Sequence, residues 1–168
     1  MERDKSKNPN SNRGTGQKLI ATNPNAKRNY IILETVDAGM VLLGTEIKSL
    51  RNQSPNLKDA YVNLKSKGKK IEAFLVNTHI APYENGNRWN HEPLRPRKIL
   101  LHQNELQKLY GAVSKKGLTV VPTKMMFQRG FAKIQLGLGK GKKTHDKRDS
   151  EKQRSADREM SRAQKRDR

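Results

Sequence analysis

The chain contains no cysteine. That removes disulfides, thiolate metal sites and thiol nucleophiles together, and it suits a reducing compartment. Aromatic residues are scarce at 5%, so a surface that grips single-stranded RNA by stacking bases on many exposed rings is not expected. Apolar residues make up 32% of the chain. They never form a run long enough to cross a bilayer, and the basic segments have no apolar face to insert into one. No membrane partner is expected. The N-terminus (Met1, Glu2, Arg3, Asp4, Lys5) is too polar for a signal peptide, which points to a cytoplasmic protein. Acidic charge is also short, with 16 Asp and Glu against 36 Lys and Arg and a formal net charge of +20. Self-repulsion on that scale calls for a polyanionic partner, and nucleic acid is the commonest.

The side chains of catalysis are missing as well. The histidines His79, His91, His102 and His145 are widely spaced, with no carboxylates at metal-ligand intervals. The run from Gly137 to Thr144 has the look of a phosphate-binding loop, but its glycine spacing is one residue short and a basic segment follows instead of an apolar helix. It reads as a strand end entering a basic linker. No nucleophile elbow and no isolated carboxylate pair appear. A non-enzymatic protein without cofactor or metal is expected.

What is present is a compact middle between two polar ends. Residues 1–18 hold no apolar residue after Met1 and read as a disordered lead-in. Residues 19–139 carry the apolar pattern. Residues 140–168 hold 12 Lys or Arg and 6 Asp or Glu with only Ala156, Met160 and Ala163 apolar, so this tail cannot fold by burying surface and is expected to be disordered when free.

Within the middle, short period-two segments dominate: Asn29 to Val36, Gly39 to Leu43, Ala60 to Leu64, Ile71 to Asn77, Leu118 to Val121, and Met125 to Leu138 broken at Arg129-Gly130. Asp37-Ala38-Gly39 and Ser66 to Lys70 around Gly68 read as hairpin turns. Asn104 as N-cap, the stripe Leu106, Leu109, Tyr110 and Val113, and Gly117 as terminator predict a helix; a shorter one is predicted over Thr45 to Arg51. Short hairpin-linked strands with inserted helices suggest an OB-like barrel, a mainly β fold, with a split α+β sandwich as the alternative. Tyr61, Phe74, Phe127 and Phe131 fall in strand segments and read as core. Ile80 to Lys98 has neither period, and loops of this length are usually functional or disordered. Trp89 lies in it among Asn87, Arg88, Asn90 and His91, either as an anchor packed on the barrel or as a direct contact to a partner.

Six blocks then occur in order: Asp37 to Arg51, Asn56 to Tyr61, His79 to Tyr83, Arg95 to His102, Gly117 to Pro122 and Gly139 to Arg148. Together they resemble the small protein B (SmpB) family over roughly Asn23 to Arg148. The resemblance implies a six-stranded antiparallel OB-type barrel with peripheral helices. It implies an adaptor that binds the tRNA-like domain of transfer-messenger RNA and delivers it to stalled bacterial ribosomes. A tail entering the ribosome's mRNA channel as a helix is implied too. By position, Lys27, Arg28, Asp37, Leu100 and His102 match family residues associated with RNA binding. The tail motif needed at the decoding centre corresponds to Gly141 through Arg148, including His145, Asp146, Lys147 and Arg148. Lys140, Lys142 and Lys143 are basic residues suited to phosphate, with glycines between them that let backbone amides approach. The chain departs from the family at Asp37, often Glu, at His102, often Asn, and at Asn23-Pro24-Asn25-Ala26, where two usual cations are absent. A monomer is expected. Composition alone leaves a constitutive ribosomal-RNA-binding or RNA-chaperone protein as the alternative; the ordered blocks favour the adaptor.

Overall fold

The computed structural model describes residues 16–68 and 70–143, with single positions 146, 148, 155, 159 and 160 beyond them. Its elements are β1 (Gln17–Thr22), α1 (Pro24–Asn29), β2 (Tyr30–Met40), α2 (Gly44–Asn52), β3 (Tyr61–Lys67), β4 (Lys70–Val76), a 3-10 segment η1 (Glu84–Trp89), β5 (Arg97–Leu100), α3 (Gln103–Lys116), β6 (Thr119–Gln128) and β7 (Phe131–Gly141). One antiparallel sheet runs in the order β1-β6-β7-β2-β5-β4-β3. β1 pairs only with the second half of β6. β3 comes back against β6, and the sheet curls into an OB-like barrel. The sheet has seven strands where six were expected. Two strands, β1 and β5, lie outside the segments read as strands above; β1 takes in Gln17 and Lys18, assigned above to the lead-in, is held by backbone pairing to β6 and has no apolar period of its own.

The core is aliphatic. Ala73, Leu75, Ile99, Met125, Ile134 and Leu136 supply strand residues to it, and Leu106 and Leu109 of α3 with Leu50 of α2 join the same buried cluster. The four aromatic residues read as core divide: Phe127 packs against the core and Phe74 is partly buried, whereas Phe131 is 75% and Tyr61 38% exposed. Leucine, isoleucine, valine and methionine fill most of a small barrel's interior at native density, so those two rings are not needed there.

Three local expectations are corrected. Asp37-Ala38-Gly39 is no turn: β2 continues through it, paired with Gln135, Ile134 and Lys133 of β7. Continuous pairing with β7, joined near the end by β5, supplies ladder partners that outweigh the local turn preference. The segment before Pro122 and the one after it form a single strand, β6; Pro122 keeps its place opposite Leu136, and a register shift before Lys124 leaves Thr123 as the extra residue. Helix α3 begins two residues early, because Glu105 accepts from the His102 amide at 2.9 Å and makes His102 the cap. The hairpins were legible. Arg129 and Gly130 both have positive φ, 50° and 83°, between the paired Gln128 and Phe131, as a two-residue hairpin loop requires. Gly117 ends α3 in the left-handed conformation.

Candidate nucleic-acid interface

The segment before β2 is helix α1, and its start explains the departure at Pro24 and Asn25. Asn23 caps the helix, accepting from the Asn25 amide at 3.0 Å, and Pro24 occupies the first turn, where its missing N–H costs nothing. Asn23 is also tied to β6, donating through its side chain to the Pro122 carbonyl at 2.9 Å and through its backbone to the Thr123 carbonyl at 2.8 Å. Helix α1 is thereby fixed to the barrel at its N-terminal end. Lys27 and Arg28 lie in its last turn, exposed, where the helix dipole favours cations.

β7 ends beside them. Tyr30 pairs with Gly141 and Ile31 with Lys140. The Lys142 amide donates to the Asn29 carbonyl at 2.8 Å, and its Nζ donates to the Lys27 carbonyl at 3.1 Å. Lys27, Arg28, Lys140, Lys142 and Lys143, far apart in sequence, therefore share one edge of the barrel. Of the two glycines in this stretch, only Gly141 has open space where a side chain would stand; at Gly139 a Cβ would come within 3.0 Å of Tyr30 and 3.2 Å of the Ile31 carbonyl. Gly139 is thus required by strand packing, and Gly141 alone leaves room for a phosphate. Next to this edge, Asn25, Asn29, Tyr30, Asp59 and Tyr61 line a cleft of about 230 Å³ between α1, β3 and β6.

The remaining predicted residues form a second group. Asp37 Oδ1 accepts from Gln135 Nε2 at 3.1 Å, and Gln135 Oε1 accepts from Thr123 Oγ1 at 3.1 Å, so the carboxylate is held in place. Gly39 pairs with Leu100, which puts Leu100 on the outward face that Asp37 shares two residues earlier. Leu100 is 51% exposed and stands outside the core. His102 follows two residues on, exposed, at the start of α3. From Asp37 to Ile31 along β2 is about 20 Å at ~3.3 Å per residue. The two groups are separate patches joined by the β2–β7 ladder.

Of the tail residues, Asp146 and Arg148 are helical and exposed, and Asp146 accepts from the Lys143 amide at 3.2 Å, the geometry of a helix start. His145 and Lys147 lie outside the described residues. His91 is buried, and because its Nε2 faces the Ile80 carbonyl at 3.2 Å that nitrogen donates, while Nδ1 meets the Thr45 hydroxyl at 3.0 Å; it is a packing residue.

Reading the sequence missed one polar centre. Glu46 and Arg97 are both completely buried. Arg97 Nε donates to Glu46 at 2.8 Å, and its Nη atoms donate to the carbonyls of Thr78 (2.6 Å), Pro93 (2.9 Å) and Arg95 (3.1 Å). Arg95 donates to the same carboxylate at 2.9 Å, as does the Leu43 amide at 2.7 Å. Burial by itself would push the Glu46 carboxyl up; the Arg95 hydrogen bond, the Leu43 amide and the Arg97 charge together hold it below its ordinary value. This network ties α2 to β5 and to the irregular segment between β4 and β5. Both arginines and the glutamate lie in the ordered blocks, but nothing in local sequence distinguishes a buried charge from a surface one.

A family model described as SmpB protein matches residues 20–166. An SsrA-binding protein of Geobacillus thermodenitrificans is 53% identical over 146 residues, 87% of this chain and 92% of its own. One from Enterococcus faecalis is 50% identical over 151 residues, 90% and 96% of the two chains. A solved structure described as "tmRNA-SmpB: a journey to the center of the bacterial ribosome" is 45% identical and superposes with a TM-score of 0.60 over 75% of this chain and 86% of that one.

Proposed function

From the premise that the chain belongs to the SmpB family, we propose that it is an RNA-binding adaptor that recognises the tRNA-like domain of transfer-messenger RNA and delivers it to stalled ribosomes. It works in the cytoplasm and acts by binding, with no catalytic step of its own. The observation that carries the reading is the convergence of Lys27, Arg28, Lys140, Lys142 and Lys143 on one edge of the barrel. Five cations at one edge neutralise phosphates and set orientation; they carry no sequence information. Recognition falls to the second patch. A carboxylate facing RNA is repulsive unless it accepts from a base amino group or a 2′-hydroxyl, and Asp37, held by Gln135, is placed to accept. Leu100 offers an apolar surface beside it and His102 a ring nitrogen.

The two patches predict different defects. In gel shifts with transfer-messenger RNA, the Lys27→Ala/Arg28→Ala double variant is expected to bind more weakly at every salt concentration. Its log affinity should fall less steeply with log salt, by roughly one unit of slope per lost phosphate contact. Asp37→Ala should leave the slope unchanged and lose discrimination against bulk tRNA. Neither should move the melting midpoint by more than a few degrees, since exposed changes usually stay within about 0.5 kcal/mol. Equal affinity of the double variant and the parent would remove the basic edge from the interface. Loss of discrimination in the parent itself once salt screens the charges would leave only a general RNA binder.

A further inference from the structure

Resting on that RNA-binding reading, we propose that Trp89 is a base-stacking residue, presented by a built loop to take an unpaired nucleobase of the bound RNA. It is the chain's single tryptophan. It is 84% exposed, the most exposed of the large apolar side chains among the described residues, so it anchors nothing in the barrel. The loop that carries it is nonetheless tightly specified. Asn90 closes its neck, accepting from the Tyr83 amide at 3.1 Å and donating to the Tyr83 carbonyl at 2.6 Å. The Gly86 amide donates to the same carbonyl at 2.8 Å, and a side chain at Gly86 would come within 2.6 Å of the Asn90 amide and displace it from those bonds. Asn87 sits at φ 48°, ψ −150°, a strained backbone that persists because its surroundings over-determine it.

The loop is also docked. His91 binds Thr45, Ser49 donates to the Ala81 carbonyl at 2.6 Å, and Gln53 donates to Glu84 at 3.3 Å, which together hold the loop against α2. A fixed loop that displays its one large ring to water has no stability reason for the ring. Because the loop is already ordered, binding through it loses little conformational entropy.

The chemistry around the indole selects the ligand. The same loop carries the exposed side chains of Asn85, Asn87 and Arg88, and Lys48 lies 5.5 Å over the Tyr83 ring at the loop's neck. Amides suit base edges, cations suit phosphate, and an indole face suits any base. A net charge of +20 makes an RNA the chemically matched occupant.

The single tryptophan makes the test direct. The full-length chain is titrated with a transfer-messenger RNA transcript and, separately, with protein-free small-subunit ribosomal RNA, and tryptophan emission and acrylamide quenching are followed. Stacking should quench the emission and shield the ring from acrylamide, and the arm in which this happens identifies the source of the base. Trp89→Ala and Trp89→Leu should each weaken that RNA by about five- to a hundredfold, the range for one stacked base, with an unchanged melting midpoint. Trp89→Phe should recover most of the affinity, because stacking needs a π face and leucine has none. Emission that stays water-exposed in both saturated complexes, with Trp89→Ala binding as tightly as the parent, would overturn the proposal and assign the ring to a protein partner. That result would leave the adaptor reading intact as long as the parent still selects transfer-messenger RNA. A parent that saturates neither RNA would overturn both.

Discussion

A chain cut after Lys143 should bind transfer-messenger RNA within about threefold of the parent, a change worth ~0.7 kcal/mol, and should not support peptide tagging on ribosomes stalled on a stop-less message. The position of the cut matters. Composition suggests a boundary at Lys140, but β7 runs to Gly141, its last residues pair with Tyr30 and Ile31, and Lys142 is bonded to Asn29 and Lys27. A cut at Lys140 would unzip the end of β2–β7 and remove three cations from the basic edge, confusing the two activities. Beyond Lys143 nothing bulky and apolar remains except Met160, which is exposed. The tail's own helix is weakly supported: Asp149 with Lys152, Glu151 with Arg154, and Glu159 with Arg162 are i, i+3 pairs worth a few tenths of a kcal/mol each. An RNA-lined channel that neutralises the remaining Lys and Arg would complete it, and a helix of this length reaches roughly 40 Å at about 1.5 Å per residue. The check is a pair of measurements on the same truncated protein, gel-shift affinity and tagging yield. Undiminished tagging would remove the channel-entry role, and collapsed affinity would make the tail an RNA-binding arm.

Replacing Glu46 with alanine should cost stability on the order of 3–5 kcal/mol, because it strands the buried Arg97 charge without its counter-ion. For a domain of this size that corresponds to a fall in melting midpoint of roughly 10–25 °C. Glu46→Gln isolates the charge, since the amide keeps the shape and an acceptor oxygen. Acid should act on the same group. The Glu46 carboxyl is held below its ordinary value in the folded state, so the folded chain binds fewer protons than the unfolded one across that interval. Its contribution is therefore complete above the ordinary value of 4.5 and is lost as pH falls through the lower, folded value. Thermal melts from pH 7 downward should show the parent losing more stability on acidification than Glu46→Gln. A Glu46→Ala midpoint within two or three degrees of the parent, about 0.5 kcal/mol for a domain of this size, would show that the network contributes nothing to the fold.

How far the sequence could be read depended on the range of the interaction. Arg129-Gly130, Gly68 and Gly117 were legible because turn and cap chemistry is local: a positive φ at the right place favours glycine whatever the rest of the chain does. The α3 stripe was legible for the same reason, with Leu106 and Leu109 buried as their spacing requires. Asp37-Ala38-Gly39 misled because its turn propensity is real, and only the partners β7 and β5 override it. Gln17 to Thr22 was passed over because an edge strand held by one neighbour's backbone needs no apolar alternation.

The site followed the same division. Net charge, the absence of cysteine and the six ordered blocks determined by themselves that the chain is a basic, RNA-directed barrel with a polar tail, and they named the cations. Charge is a sum over residues and motif order is linear, so neither needs a fold. Only the tertiary structure decided that Lys27 and Lys142 meet across the end of β2–β7, that Leu100 and Asp37 share an outward face, and that Phe131 and Trp89 stand in water. It alone decided that Glu46 and Arg97 are buried. A lysine and a lysine, or a glutamate and an arginine, read the same in sequence wherever they end up; strand register and barrel closure set their distance and their dielectric, and those belong to the whole chain at once.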